Sequence, residues 1–101
     1  MDRSAELKLI AKTYAADAIG QLTPTETSRT VFCNVRSVTQ GEFFAGAEIG
    51  IRPEYRATMF APDYEGEETA EYNGKRYEIY RTYLGDNESI ELYLATRVGV
   101  Q

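Results

Sequence analysis

Histidine and tryptophan are absent from this chain, and cysteine occurs once, at Cys33. Each absence closes off chemistry. Without histidine there is no Ser-His-Asp or Cys-His catalysis, and the commonest general base and metal ligand are both gone. A lone cysteine forms no internal disulfide, and with no histidine beside it no zinc site of Cys/His type. No apolar run approaches the ~18 residues of a membrane span. The opening Met1-Asp2-Arg3-Ser4 lacks the apolar core of a signal peptide, so the expectation is a protein made and used in a cytoplasm. Basic residues are scarce: 11 Lys and Arg against 16 Asp and Glu, a formal net charge of −5. Proteins that grip nucleic acid carry clustered positive charge, so holding DNA or RNA is disfavoured. No catalytic, metal-binding or cofactor-binding residue is expected, and no cofactor.

What is present suits one small domain spanning residues 1–101. Hydrophobic residues make up 43% and charged residues 27%, the balance of a globular chain. Glu6 to Thr13 alternates, with Leu7, Leu9 and Ala11 on one face and Lys8, Ile10 and Lys12 on the other, which predicts a strand with its lysines toward water. Tyr14 to Ser28 has no clear period and holds Gly20, Pro24 and several threonines, so a long loop is expected there. Such loops are functional or disordered. This one also carries Ile19 and Leu22, which a solvated linker does not need. It reads equally as a floppy surface segment or as a docking arm that orders on a partner.

Arg29 to Val38 alternates again, with Val31, Cys33, Val35 and Ser37 on one face. Cys33 there reads as a small buried hydrophobe. Thr39-Gln40-Gly41-Glu42 fits a capping box, and a short helix through about Glu48 is expected. Its Phe43, Phe44 and Ala47 share a side, which predicts that the helix plugs an open side of the sheet. Glu54 to Ala61 is a third strand. Pro62 to Glu68 is an acidic loop containing Asp63, Glu65, Glu67 and Glu68, read as a solvated turn, since its spacing matches no calcium loop.

Asn73-Gly74 is the preferred pair for a type I′ hairpin turn, because both central residues need positive φ. It joins Thr69–Tyr72 to Lys75–Arg81, and Tyr77, Ile79 and Tyr83 are expected on one face of the second arm. After a turn at Gly85-Asp86-Asn87-Glu88, Ile90, Leu92, Leu94 and Val98 alternate with Glu91, Tyr93, Ala95 and Arg97. About six strands, one short helix and a long loop between the first two strands predict a mainly β (β-rich α+β) fold, a small antiparallel barrel or sandwich.

Three segments in this order resemble one family. They are Val31-Phe32-Cys33-Asn34-Val35-Arg36-Ser37-Val38-Thr39 with Gly41-Glu42-Phe43-Phe44, then Tyr55-Arg56-Ala57-Thr58-Met59, then Tyr72-Asn73-Gly74-Lys75-Arg76-Tyr77-Glu78-Ile79. From about Glu6 to Val98 the chain resembles the head-closure proteins of long-tailed phages, also called head–tail adaptors, connectors or stoppers. It departs from them at Phe32, where the family often has tryptophan, and at Ser37, where it often has proline. The resemblance implies a homo-oligomeric ring, twelvefold in the virion neck, assembled in the host cytoplasm. Its partners would be a portal-adaptor (head-completion) protein above and a tail-terminator or tail protein below. The ring would close the DNA channel after packaging, let the genome pass without specific binding, and touch no membrane. The long loop, with Ile19, Gly20, Leu22 and Pro24, would be its contact arm or channel plug. Asp63, Glu65, Glu67 and Glu68 would face the channel or bulk solvent.

Two other readings compete, beside a carboxylate enzyme using Glu and Asp pairs, for which no pair here has a recognisable context. One is a tail-completion or terminator protein. The other is an OB-like binding module outside any virion, with Tyr72, Tyr77, Tyr80, Tyr83 and Tyr93 as stacking surfaces.

Overall fold

The computed structural model describes residues 5–97. Six strands are formed: β1 (Ala5–Ala16), β2 (Leu22–Ser37), β3 (Ile51–Phe60), β4 (Thr69–Tyr72), β5 (Lys75–Leu84) and β6 (Ser89–Arg97). One helix, α1 (Gln40–Glu48), links β2 to β3, and a single 3₁₀ turn follows β3 at Ala61–Asp63. All neighbours are antiparallel, and the order β1-β2-β3-β6-β5-β4 returns to β1, so one sheet closes on itself as a barrel. The expected mainly β fold is therefore the observed one.

Period two sets the inside. Leu7, Leu9, Val31, Cys33, Ala57, Met59, Ile79, Ile90, Leu92 and Leu94 form one core, with Ala70 and Tyr77 completing it. Closure rests on a short seam, Lys8↔Glu71, Leu9↔Ala70 and Ile10↔Thr69. Burial of Cys33 pushes its thiol up to about 11, which keeps it protonated and unreactive. The Asn73-Gly74 turn has φ of 52° and 78°, the two positive values of the expected type I′ geometry.

Four expectations are corrected. First, residues 14–28 are not an irregular loop. β1 and β2 pair without interruption from Ala5↔Cys33 to Ala16↔Leu22, so the segment is a two-stranded ribbon. Its Ala, Thr and Ser residues hide the alternation that usually betrays a strand. Second, β3 begins at Ile51 and takes in Pro53, which is fully buried. Third, the register skips Glu54 on β3 and Tyr80 on β5, two β-bulges flanking β6. The second bulge reverses the alternation of β5. Tyr77 and Ile79 point into the core, but Tyr83 pairs with Glu91 and is 58% exposed. Fourth, α1 does not plug the sheet. Phe43 and Phe44 are exposed, and Gly46 is the helix's buried residue. Val98, expected to end the last strand, lies outside the described residues.

Gly46 explains how the helix docks. A Cβ there would stand 2.3 Å from Cγ of Pro53, so the backbone of α1 lies directly on the proline ring of β3. Alanine ordinarily improves a helix over glycine by about 1 kcal/mol. Gly46→Ala is expected instead to lower the unfolding free energy by about 1–3 kcal/mol through overpacking. Gly41→Ala, with nothing within 4 Å, should be neutral or slightly stabilising. Urea titrations of both variants check this.

Candidate functional site

The ribbon is the feature that the barrel does not explain. Beyond Ile10, the last residue of β1 paired with β4, the strand runs on to Ala16. Six further residues at about 3.3 Å each carry it roughly 20 Å past the seam. Every residue from Lys12 to Ser28 is exposed. Ile19, Leu22 and Tyr14 are exposed by 78%, 68% and 61%. The structure thus brings Ile19, Gly20, Leu22 and Pro24 together at and near one tip.

That tip is built rigidly. Asp17 Oδ1 accepts hydrogen bonds from the backbone N–H of Ile19 at 2.9 Å and of Gln21 at 3.0 Å. Asp17 N–H donates to the carbonyl of Gln21, and Gly20 N–H to the carbonyl of Asp17. Gly20 has φ of +86°, where a side chain would be strained. Ile19 is therefore held out on an ordered turn. Asp17, which fixes this turn, escaped the sequence reading; an aspartate three residues before a glycine is the signal that could have found it.

The two faces of the ribbon differ. Tyr14↔Pro24 and Ala16↔Leu22 form an apolar face toward the tip. Ala11↔Thr27, Thr13↔Thr25 and Ala15↔Thr23 form a flat face of small residues. The Asp17–Gln21 bond makes that pair a hydrogen-bonded one, so by alternation Tyr14↔Pro24 is a non-hydrogen-bonded pair. The nitrogen of Pro24 thus faces the open edge of β2. It breaks no rung of the ladder and withdraws one donor from the edge.

Two ion pairs tie the ribbon's base to the barrel. Arg76 on β5 grips Glu26 on β2 with both terminal nitrogens, at 3.0 and 2.8 Å. That bidentate hydrogen bonding holds the Glu26 carboxyl below, and the Arg76 guanidinium above, its ordinary range. Lower down, Arg29 Nε meets Glu67 at 2.9 Å, and the same guanidinium donates to the carbonyl of Asp63. Glu67 is buried and accepts from the N–H of Glu65, while its carbonyl accepts from the hydroxyl of Tyr64. Of the four acidic-loop residues, Glu67 turns inward and braces the loop, while Asp63, Glu65 and Glu68 remain exposed. A groove of about 500 Å³ lies between ribbon and loop, lined among others by Ile10, Lys12, Tyr14, Glu26, Glu68 and Arg76.

The helix is held from its other end. Thr39 is the N-cap, its hydroxyl accepting from the N–H of Glu42 at 3.2 Å. Glu42 does not complete the expected box by reaching back. Its carboxylate takes Arg81 at 2.6 and 3.1 Å and the hydroxyl of Tyr80, the bulge residue of β5. The Arg81 hydrogen bonds hold the Glu42 carboxyl low, and burial together with Glu42 pushes the Tyr80 hydroxyl up. Arg81 in turn lies 3.8 Å over the ring of Tyr93. This clamp leaves Phe43 and Phe44 facing outward, edge to face at 5.8 Å.

The tyrosines do not make a stacking platform. Tyr77 and Tyr93 are buried, Tyr72 and Tyr80 half-buried, and Tyr83 alone of the five proposed stackers is exposed. Tyr55 packs edge-on against both Tyr72 and Tyr77. Among the described residues no three acidic or cysteine side chains stand together as metal ligands, and no helix is long and apolar enough to cross a membrane. No family model matches the chain, and no curated protein matches it.

The clamp has a pH dependence of defined sign. The Glu42 carboxyl is lower in the folded protein than in the unfolded chain, so its stabilisation is fully present above the ordinary carboxylate range and is lost as pH falls from that range through the lowered folded-state value. Glu42→Gln is expected to lower stability at neutral pH by about 1–3 kcal/mol. The gap between the variant and the original protein should close on acidification. Urea midpoints of both proteins from neutral to acid pH measure it, and a gap independent of pH would contradict the assignment.

Proposed function

We propose that this chain is a structural protein of a phage neck. In this reading it forms a ring below the portal and its adaptor, closes the DNA channel after packaging and offers a surface to the tail. Two things support it. The first is the resemblance carried by Val31–Thr39, Gly41–Phe44, Tyr55–Met59 and Tyr72–Ile79. The second is the observation that carries the reading, a preformed arm that buries none of its own apolar tip. A two-stranded ribbon is marginal in water by itself, and exposed apolar side chains grouped on a rigid turn are surface that a partner covers. An assembly protein needs such an arm, whereas an isolated barrel does not.

The charge fits the same role. A chain with a net charge of −5 does not hold phosphates, and a conduit that repels DNA does not slow its passage. Nothing in this reading calls for catalysis. The arm acts by docking Ile19, Leu22 and Tyr14 against a neighbour in the neck.

Electron microscopy of a phage carrying a stop codon in this gene tests the proposal. Emptied tailless heads beside complete free tails are expected. Full heads with overlong or unfinished tails would instead assign a tail-terminator role, and normal infectious particles would remove the chain from the neck. Changing Ile19 and Leu22 together to serine is expected to give a folded protein that fails to restore infectious particles to the stop-codon phage. Full restoration by this variant would overturn the role of the arm.

A further inference from the structure

Three arginines stand in one row across the barrel wall. Arg36 on β2 is paired with Arg56 on β3, Arg56 with Tyr93 on β6, and Tyr93 with Arg81 on β5. Paired residues share a face, so the row lies on the outside, where Arg36 and Arg81 are exposed and Arg56 is half-buried. Arg81 is neutralised there by Glu42. Arg36 Nε donates to the amide oxygen of Asn34 at 3.1 Å, and Arg56 lies by the hydroxyl of Tyr93. Both partners are neutral, and among the described residues neither Arg36 nor Arg56 enters an ion pair. The carboxylate of the next row, Glu91, accepts from the Tyr93 hydroxyl at 2.7 Å.

The Arg36–Arg56 pair is incomplete by itself. Like charges directly opposite in a ladder, with Cβ atoms about 5 Å apart, repel. A chain of net charge −5 has carboxylates to spare, yet none is set against these two. Arg56 Nε is also the one buried side-chain polar atom among the described residues without a hydrogen-bond partner. Farther along the same outer face the wall turns apolar. Phe32 and Phe60 lie two positions beyond the pair Asn34↔Thr58 and are exposed by 60% and 38%. Four residues at about 3.3 Å each set them roughly 13 Å from the arginines. Exposed Glu6 of β1 is paired with Phe32.

We propose that this wall of the barrel docks an extended, acidic segment of a partner protein. The carboxylates of the segment accept hydrogen bonds from the terminal nitrogens of Arg36 and Arg56, and its apolar side chains, about four residues on, cover Phe32 and Phe60. Charge complementarity selects this occupant: two guanidiniums without a carboxylate take an oxyanion, and the phenylalanines take apolar surface that a free phosphate lacks. Nucleic acid would carry further phosphates onto Glu91 and Glu6, whereas a protein segment confines its charge to one end. Glu6 beside Phe32 repels the acidic end and so fixes the direction in which the segment lies. The surface is separate from the arm and goes beyond the neck reading. Normal particles from the stop-codon phage would remove the neck and leave this site unaffected.

Fluorescence polarisation on the purified full chain tests it, with labelled peptides in which two aspartates precede two leucines at a spacing of two, four or six residues. Saturable binding is expected, tightest at a spacing of four, and about tenfold weaker when asparagines replace the aspartates. Arg36→Glu separates docking from folding. It sets opposite charges across the ladder, so it should raise the urea midpoint while weakening peptide binding by about tenfold. Phe32→Ser should weaken binding and keep the preference for aspartate over asparagine. A lower urea midpoint for Arg36→Glu would make the arginine a structural residue and overturn the proposal. Peptide binding that ignores Arg36→Glu, or no saturable binding at any spacing, would overturn it as well. A single-stranded oligonucleotide that displaces the labelled peptide more effectively than the unlabelled peptide does would assign the site to nucleic acid instead.

Discussion

The whole structure hangs on three residue pairs. Lys8, Leu9 and Ile10 of β1 meet Glu71, Ala70 and Thr69 of β4, and that seam turns a six-stranded sheet into a barrel. Open, the sheet would expose two edges and the inward faces of Leu7 and Leu9, which are now fully buried. Closed, it pairs the two edge strands to each other from Lys8 to Ile10. A chain of 101 residues has little area to bury, so it depends on this economy. β4, with four residues, is long enough for the seam and no more. Where β4 stops, β1 and β2 continue alone. The arm is thus continuous with the barrel wall: the same two strands that wall the barrel are longer than the partners that close it.

The bulges show how the remaining surface is braced. Both flank β6, one on β3 at Glu54 and one on β5 at Tyr80. A bulge re-aims one side chain out of the regular alternation. Glu54 is thereby placed among Lys75 at 3.5 Å, the hydroxyl of Thr96 at 3.2 Å and that of Tyr77. Tyr80 is brought to Glu42 of the helix. Each irregularity ties together elements that the ladder alone leaves independent. With Arg29–Glu67 and Arg76–Glu26, these contacts fix three appendages on one barrel: helix, acidic loop and arm.

How far the sequence foretold this depended on side-chain contrast. In β2 Val31 and Cys33, and in β6 Ile90, Leu92 and Leu94, recur at every second position and are buried as period two predicts, although Phe32 faces outward and Tyr93 is buried as well. Asn73-Gly74 was legible because only a few residues accept positive φ. The ribbon was not, because Ala15, Thr23, Thr25 and Thr27 offer no contrast between faces, and Pro24 looks like a breaker until its nitrogen is seen to face an open edge. The exposed tip residues Ile19 and Leu22, with Gly20, were nonetheless visible as apolar side chains and a glycine in a polar stretch. The helix was legible in extent and misjudged in orientation. Periodicity located the two phenylalanines on a common side, but the docking side was decided by Gly46 against Pro53 and by Glu42 reaching Arg81, which are long-range contacts.

An arm with two open strand edges would be a hazard if its edges did the binding, since any unpaired strand would suit it. The ribbon is built against that outcome. Pro24 takes a donor from the β2 edge, and Lys12, paired across the ribbon with Glu26, sets charge beside the β1 edge. In the docking role proposed for the arm, binding is left to faces and tip, where side chains and not backbone decide the partner. That division sets specificity: an edge recognises any strand, whereas Ile19 on a turn locked by Asp17 recognises one shape. The rigidity lowers the entropy lost on docking, because the turn is ordered before a partner arrives. A floppy loop of the same composition would carry the same apolar side chains and bind more weakly.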